Sequence, residues 1–201
     1  MLADLTIHLI FLRFLSLLVI AAVQGFVVAG TAVLLGDQGP KHDGRLTPLP
    51  FSHLDLLGGA CLIVFGLGWT KPVAVDPKEF RLGRIGVVAV ILAPLAALIA
   101  TAVVLLALVV PAVTGLPYTA GLLVAAFLRL AARLCLWVGL LNLLPVPPLT
   151  GGHLLAAFNV TLSRQTTWIL AAAVAVAIAT GLAADVIGPA YAALAARIIG
   201  E

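Results

Sequence analysis

The sequence predicts an all-α integral membrane protein, and two observations carry that prediction. Of its 201 residues, 63% are hydrophobic and only 9% are charged, whereas a soluble globular domain is about half apolar and a quarter charged. Several apolar runs also approach or exceed the roughly 20 residues that cross a hydrocarbon core as a helix. Helices are expected because a spanning segment must satisfy its own backbone hydrogen bonds.

About five transmembrane helices are predicted along the chain, followed by a short C-terminal helix. The first apolar run is too long for a signal peptide. The second is short and contains glycines, so a tilted or re-entrant helix stays open. The fourth contains two arginines, and the fifth is rich in alanine, which allows close helix packing. The predicted ranges are 6–35, 53–69, 85–112, 119–145 and 166–187, with the last helix near 189–199, all within one polytopic domain, 1–201.

Basic residues in the connecting segments predict the orientation. Segment 70–84 contains Lys71, Lys78, Arg81 and Arg84. If every predicted span crosses, this segment lies on the same side of the membrane as Arg13 and Arg164, which favours a cytoplasmic N-terminus. The four residues of segment 70–84 are also candidate contacts for anionic lipid or for a partner protein.

Two arginines interrupt the fourth span, Arg129 and Arg133. At a spacing of four they share one helical face, and a charge at membrane depth is costly. Three interpretations stay open. Both side chains reach the headgroups, or they form a docking face for another subunit or an acidic lipid, or they pair with an internal carboxylate such as Asp55 or Asp185.

A polar, proline-rich stretch separates the fourth and fifth spans and reads "NLLPVPPLTGGHLL" from Asn142 to Leu155. Its prolines forbid regular helix, and its glycines permit close backbone approaches. Irregular backbone beside a span is tolerated where it is buried in protein or lines a watery cavity. An ordinary loop between spans is the alternative. The residues concerned are Asn142, Pro145, Pro147, Pro148, Thr150, Gly151 and Gly152.

Three further blocks precede this stretch: "LLGDQGPKHDGRLTPLPFSHLDLLGG", "FGLGWTKPVAVDPKEFR" and "ILAPLAAL". Together the four blocks resemble the site-2 protease family of intramembrane zinc metallopeptidases. That family typically shows HExxH, then LGD, GRLTLNPLxHLDPLG, FGWAKPVPVNPxxFR, AGPLSN and NLLPxPPLDGG. The resemblance implies a site-2 protease-like core over 20–155 and a C-terminal helix and tail over 156–201. The chain also retains three residues of the family pattern, Pro50, His53 and Asp55.

The departures from that pattern fall on its zinc site. Where the family has HExxH, this chain reads "QGFVV", with Gln24 and Val28 at the histidine positions and Gly25 at the position of the general base. Thr150 stands at the position of the third ligand, an aspartate. A catalytic zinc needs three protein ligands and an open position for water, and neutral amide or hydroxyl oxygens hold it poorly. The resemblance therefore implies a lost zinc site and no cofactor.

These observations lead to the hypothesis of a pseudo-peptidase that is no enzyme. It would be an accessory, assembly or scaffold subunit, located in a bacterial inner membrane, whose partners are lipids and other membrane proteins and not nucleic acid. The alternative is an active intramembrane metallopeptidase with an unusual site. A small transporter or channel is a third possibility, against which the few intramembrane ionisable residues argue.

Overall fold

The first long helix follows the predicted range closely. The computed structural model describes residues 5–158, 160 and 162–199, and α1 runs over Ile7–Leu35. The Thr6 side chain caps its start by accepting a hydrogen bond from the Leu9 N–H (3.2 Å), which satisfies a helical donor that has no partner inside the helix. The 29 residues extend about 43 Å, longer than the ~30 Å hydrocarbon core. The helix predicted over 6–35 is confirmed.

The segment predicted as the second span turns back on itself. A short helix α2 (Gly39–His42) and a 3₁₀ turn (Pro50–His53) lead to α3 (Leu56–Phe65). The ten residues of α3 make about 15 Å of helix, half of the hydrocarbon core. The chain then packs back along α3, so that the Lys71 N–H donates to the His53 carbonyl oxygen (2.8 Å). Both ends of this segment lie side by side, so of the two possibilities that the sequence left open for the second span, the structure has the re-entrant one. We call residues 53–71 the re-entrant hairpin.

Two long antiparallel helical segments follow. The first consists of α4 (Arg84–Ala107) and α5 (Val109–Gly115), which are separated at Leu108. α6 (Tyr118–Leu141) returns beside them. Gly121, near the start of α6, lies against Ala112 of α5, and Gly139, near its end, lies against Leu98 of α4. The predicted fourth span ends four residues too late, because the chain leaves the helix at Asn142.

The C-terminal part contains a bent pair of helices. A 3₁₀ turn (Thr150–Gly152) and α7 (His153–Ala157) precede α8 (Arg164–Ala179) and α9 (Leu182–Ile198). The last two meet at an angle of 69°, at Gly181, whose φ of 88° is a conformation that glycine adopts readily. The predicted break near residue 188 is therefore wrong, and the helix continues through Pro189.

The long helices pack around α1. In the described part of the chain, three helical segments are long and apolar enough to cross a membrane, or four if α8 and α9 form one bent span. The sequence predicted five, so the count is lower. One core cluster joins Leu17 of α1, Leu98 of α4 and Leu136 of α6, and a second joins Val28 of α1 with Val90 of α4. The protein is thus all-helical in its described residues, with α1 at its centre.

The re-entrant hairpin changes which loops lie together. The Arg81 N–H donates to the Leu35 carbonyl oxygen (2.8 Å) at the C-terminal end of α1. Arg13 lies 22 positions before Leu35 on the same helix, about 33 Å away. Segment 70–84 and Arg13 therefore lie at opposite ends of α1. The charge count assumed that every predicted span crosses; the re-entrant hairpin does not meet that condition, so the count gives no support to a cytoplasmic N-terminus.

Candidate functional site

The loop after α6 folds back onto the end of that helix. The Gly151 N–H donates to the carbonyl oxygen of Asn142 (2.7 Å), and a Cβ at position 151 would overlap the Leu144 carbonyl oxygen. Only glycine permits so close a backbone approach. A cis peptide bond joins Pro147 and Pro148 in the same loop. This backbone carries Thr150 to the buried face of α1.

A buried hydrogen-bond network joins α1, α6 and this loop. The Gln24 Nε2–H donates to Thr150 Oγ1 (3.2 Å), across 126 positions of the chain. The Thr150 hydroxyl and its backbone N–H both donate to Asn142 Oδ1 (3.2 Å each), and Asn142 Nδ2 donates to the Val138 carbonyl oxygen (2.8 Å). Gln24 is 1% exposed, Asn142 5% and Thr150 8%. The structure thus brings together Gln24 and Thr150, two residues that the sequence resemblance places at metal-ligand positions.

One acceptor of this network has no partner. Gln24 Oε1 is buried and accepts no hydrogen bond from the described residues. Exchanging the amide oxygen and nitrogen of Gln24 would leave the nitrogen unpartnered instead, because among the described residues the Gln24 amide forms a hydrogen bond only with Thr150 Oγ1. A buried polar atom without a partner carries a desolvation cost. Both polar side-chain atoms of Asn142 therefore form hydrogen bonds, whereas Gln24 forms one only through Nε2.

The imidazole of His53 fills the space beside Gly25. A Cβ at position 25 would overlap the ring atoms of His53, which is fully buried. The ring Nε2 lies 2.8 Å from the Thr47 carbonyl oxygen, so Nε2 carries the proton and Nδ1 is an acceptor. Nδ1 has no partner among the described residues. Position 25, which the sequence resemblance places at the general base, therefore has no room for a side chain.

Burial and nearby cations keep His53 neutral. Desolvation lowers the pKa of His53, the hydrogen bond to Thr47 raises it, and the charges of Arg45 and Lys71 lower it further. His153, in the first turn of α7, lines a small cavity with Gly25 and Thr150. Burial lowers the pKa of His153 to about 4. Both histidines therefore carry no charge at neutral pH.

The cavity itself is narrow. Its accessible volume is about 10 Å³, about the space that one water molecule requires. Its lining is Gly25, Val28, Thr70, Lys71, Pro72, Val73, Pro148, Thr150 and His153. Such a cavity holds a water or a small polar group and does not admit a peptide.

Several predicted site residues have a structural role. Asp55 caps α3 by accepting a hydrogen bond from the Gly58 N–H (2.7 Å), and Pro50 begins the 3₁₀ turn before it. Pro145 and Gly152 lie in the loop after α6, where a Cβ at position 152 would crowd Pro147. The His53 ring forms its one hydrogen bond within the described residues with Thr47 and none with Asp55. These residues shape the backbone around the site.

The predicted basic contacts lie elsewhere. Lys71 lines the small cavity, and Lys78 and Arg84 line a separate cavity of about 310 Å³ at the start of α4. Arg81 is exposed beside the end of α1. Arg129 and Arg133 are exposed on α6 and line another cavity. Apart from Lys71, none of these basic residues belongs to the lining of the site cavity.

Two arginines that support the site were missed by the sequence interpretation. The buried Arg45 donates to the carbonyl oxygens of Ser52 and Lys71, the latter at 2.8 Å, and so holds both ends of the re-entrant hairpin. Burial lowers the pKa of Arg45, and Asp43 raises it. Arg13 donates to the Ile63 and Val64 carbonyl oxygens (2.8 Å each), at the end of α3. No local pattern marks either residue, because their acceptors are backbone atoms far along the chain.

A comparison with curated proteins identifies the family. A Bacillus subtilis (strain 168) protein named "Putative zinc metalloprotease YwhC" is 33% identical to this chain over 148 residues, which cover 70% of this chain and 68% of the relative. The chain belongs to this zinc metalloprotease family. No protein-family profile matches the chain, and no solved structure matches it significantly.

Membership of the zinc metalloprotease family corrects one expectation. The sequence interpretation held that the protein is no enzyme. That expectation is wrong on this comparison, because the relative bears the name of a peptidase, which points toward an enzyme.

The residues at the site do not fit the zinc that the family name implies. Zinc in proteins is bound by cysteine, histidine and carboxylate side chains. Here Gln24 and Thr150 offer neutral oxygens that already contact each other, and Gly25 and Val28 offer no side-chain donor. Among the described residues, no group of three or more His, Cys, Asp or Glu side chains is placed to hold a metal ion.

Proposed function

We propose that this member of the zinc metalloprotease family binds an apolar segment of another membrane protein, and that it does so as a subunit of a membrane complex. The observation that carries the proposal is a groove of about 230 Å³ beside the site. It shares Pro72 and Pro148 with the lining of the small cavity. Its lining is Asp55, Leu57, Trp69, Pro72, Pro148, Thr167, Trp168 and Ala171.

The chemistry of this groove suits an apolar polypeptide. Its walls come from the re-entrant hairpin, the loop after α6 and the first turns of α8, and most of them are apolar or aromatic. Trp168 is 60% exposed and Leu56, at the start of α3, is 92% exposed. Transmembrane segments associate by close packing of such surfaces, and exposed tryptophans are frequent anchors of interfaces.

Three further expectations from the sequence analysis are part of this proposal. The core over 20–155 is site-2 protease-like, its location is a bacterial inner membrane, and its site holds no zinc. The donor set at Gln24 and Thr150 supports the last point, because their side chains contact each other. Zinc analysis of the purified protein tests it, and one equivalent of zinc would contradict it.

Photo-crosslinking tests the groove directly. A photoreactive phenylalanine analogue replaces Trp168 in the full chain, expressed in its native membrane. We expect an adduct with one membrane protein, in a yield that falls when Leu57 is also changed to Asp. The control position is Leu122 on α6, whose side chain is also exposed (47%). An adduct pattern that is the same from both positions, or free chain from both, would contradict the proposal.

Peptide-bond cleavage within the membrane is the second candidate function. The observation that favours it is the name of the B. subtilis relative. It predicts bound metal and cleavage of a model transmembrane substrate that chelators abolish. The two candidates are separated by one measurement, in which purified chain is incubated with labelled substrate with and without added zinc, and cleavage fragments are counted.

A further inference from the structure

Two buried polar atoms lie beside the small cavity of the site and come from different elements. Gln24 Oε1 on α1 and His53 Nδ1 in the re-entrant hairpin have no hydrogen-bond partner among the described residues, and Gln24 is 1% and His53 0% exposed. The His53 ring lies against Gly25, and the Gln24 amide is bonded to Thr150. Because Gly25 and Thr150 both line the cavity, each of the two atoms lies at its edge.

The hydrogen bonds around these two atoms make both of them acceptors. His53 Nε2 lies 2.8 Å from the Thr47 carbonyl oxygen, so the neutral ring carries its proton there and has a lone pair on Nδ1. The Thr150 hydroxyl donates to Asn142 Oδ1 and therefore accepts from Gln24 Nε2, which leaves Oε1 as the second unpaired acceptor. Two acceptors cannot satisfy each other, so the group that satisfies both must bring two donors.

The cavity has the size of one such group. Its accessible volume is about 10 Å³, which is about the minimum that a single water molecule requires. A buried water typically makes about three hydrogen bonds, so a third polar partner is expected. Thr70 is 5% exposed and belongs to the same lining, and its hydroxyl supplies a donor for the water oxygen.

We propose that the cavity binds one water molecule, which donates to Gln24 Oε1 and His53 Nδ1 and accepts from the Thr70 hydroxyl. This water extends the network of Asn142, Thr150 and Gln24 to the re-entrant hairpin. One chain of hydrogen bonds then joins α6, the loop after it, α1 and the hairpin. The water also offsets the desolvation cost of two buried acceptors. Its binding does not require the neighbouring groove to be occupied.

Solid-state NMR of the full chain in lipid bilayers tests this bridge. The histidines are labelled with ¹⁵N, and polarisation is transferred from water to the imidazole nitrogens at short mixing times. We expect His53 to show a protonated Nε2 and an unprotonated, hydrogen-bonded Nδ1 that receives polarisation from water. Val28→Ile adds one methylene to the cavity lining and should abolish the transfer. The control, Val90→Ile, adds the same group to the adjoining core, outside that lining, and should retain it.

Three results would overturn the proposal. A scalar coupling between Gln24 Nε2 and His53 Nδ1 would show that these side chains bond each other directly. Loss of the transfer in Lys71→Gln would make the ammonium group of Lys71, which also lines the cavity, the occupant. Transfer to His53 that survives Val28→Ile would place the water outside the cavity.

Discussion

At the scale of single residues, Thr150 holds two distant parts of the chain together. Its hydroxyl accepts from Gln24 on α1 and donates to Asn142 at the end of α6. In a low-dielectric interior such bonds are strong, and the loss of one partner leaves the others buried and unsatisfied. A carboxylate at this position would face Asn142 Oδ1 and so meet an acceptor where the hydroxyl now donates. The Thr150 hydroxyl therefore complements the donor of Gln24 and the acceptor of Asn142 at the same time.

Removing the hydroxyl of Thr150 tests this set. Thr150→Val keeps the shape of the side chain but leaves Gln24 Nε2 without its acceptor, so we expect the free energy of unfolding to fall by about 1–3 kcal/mol. Unfolding by SDS titration in mixed micelles measures it. The control is Thr114→Val on α5, where the exposed hydroxyl bonds only the Val110 carbonyl oxygen of its own helix, and it should cost under about 0.5 kcal/mol. Equal costs at both positions would show that the network contributes nothing.

Gly25 and His53 form a second matched pair. Gly25→Ala should lower the free energy of unfolding by about 1–3 kcal/mol through overpacking, because the new Cβ overlaps the imidazole. In the His53→Ala background the same change should cost less, and the double-mutant cycle gives the coupling. Gly30→Ala in the same helix is the control, since its Cβ would meet only Leu46, at 3.9 Å, and the change favours helix. Additive effects of the Gly25 and His53 changes would contradict this packing.

At the scale of elements, the sequence predicts the long helices well and the re-entrant hairpin poorly. α1 and α4 begin within a residue of the predicted positions, because long apolar runs determine them. Apolar composition cannot distinguish a helix that crosses from one that returns, and the return of 53–71 depends on long-range contacts to backbone atoms, such as those of Arg45. The meeting of Gln24 with Thr150 was accessible only through the resemblance. The packing of His53 on Gly25 carries no local signal at all.

The re-entrant hairpin makes a prediction about sidedness. After both native cysteines are replaced by alanine, single cysteines are placed at the exposed positions Lys41 and Lys78 and labelled with a membrane-impermeant maleimide in sealed vesicles. We expect both to react from the same side, because the hairpin returns the chain to the level at which it entered. A cysteine at His8, at the other end of α1, should react from the opposite side. Reaction of positions 41 and 78 from opposite sides would show that α3 crosses.

At the scale of the whole molecule, two neutral histidines with lowered pKa values, His53 and His153, make stability depend on pH. Burial lowers the pKa of both His53 and His153 below the ordinary value of 6.5, so the unfolded chain binds protons that the folded chain does not. Stability is then fully present above about pH 6.5 and falls as the pH drops below it, by at most about 1.4 kcal/mol per pH unit for each histidine.

The pH dependence is measured as the midpoint of thermal unfolding in detergent between pH 7.5 and 5.5. We expect the midpoint to fall toward the acid end. His53→Gln and His153→Gln should each flatten the slope, whatever they do to stability at pH 7.5. His42→Gln, a change at an exposed position, is the control. If neither His53→Gln nor His153→Gln changed the slope, other groups would cause the pH dependence.

The distribution of lysine and arginine between the two ends of α1 predicts the orientation of the protein in its membrane. Segments 36–52 and 71–84, which lie on either side of α3, contain six of the chain's lysines and arginines: Lys41, Lys71, Lys78, Arg45, Arg81 and Arg84. The other end of α1 has Arg13, and Arg129 and Arg133 belong to a helix and not to a loop. Lysine and arginine in short loops favour the cytoplasmic side, whereas acidic residues contribute little. We therefore predict that segments 36–52 and 71–84 are cytoplasmic and that the N-terminal end of α1 is not.

Labelling of intact cells decides this orientation. A cysteine at His8 should react with the impermeant maleimide in intact cells, and cysteines at Lys41 and Lys78 only after permeabilisation. Lys41→Gln combined with Lys78→Gln should increase the fraction of inverted chains, because it removes charge that retains the two segments in the cytoplasm. The matched control, Asp43→Asn combined with Glu79→Gln, changes two exposed acidic residues of the same segments and should leave the fraction unchanged. Labelling of position 41 or 78 in intact wild-type cells would reverse the assignment, since the hairpin ties both positions to one face.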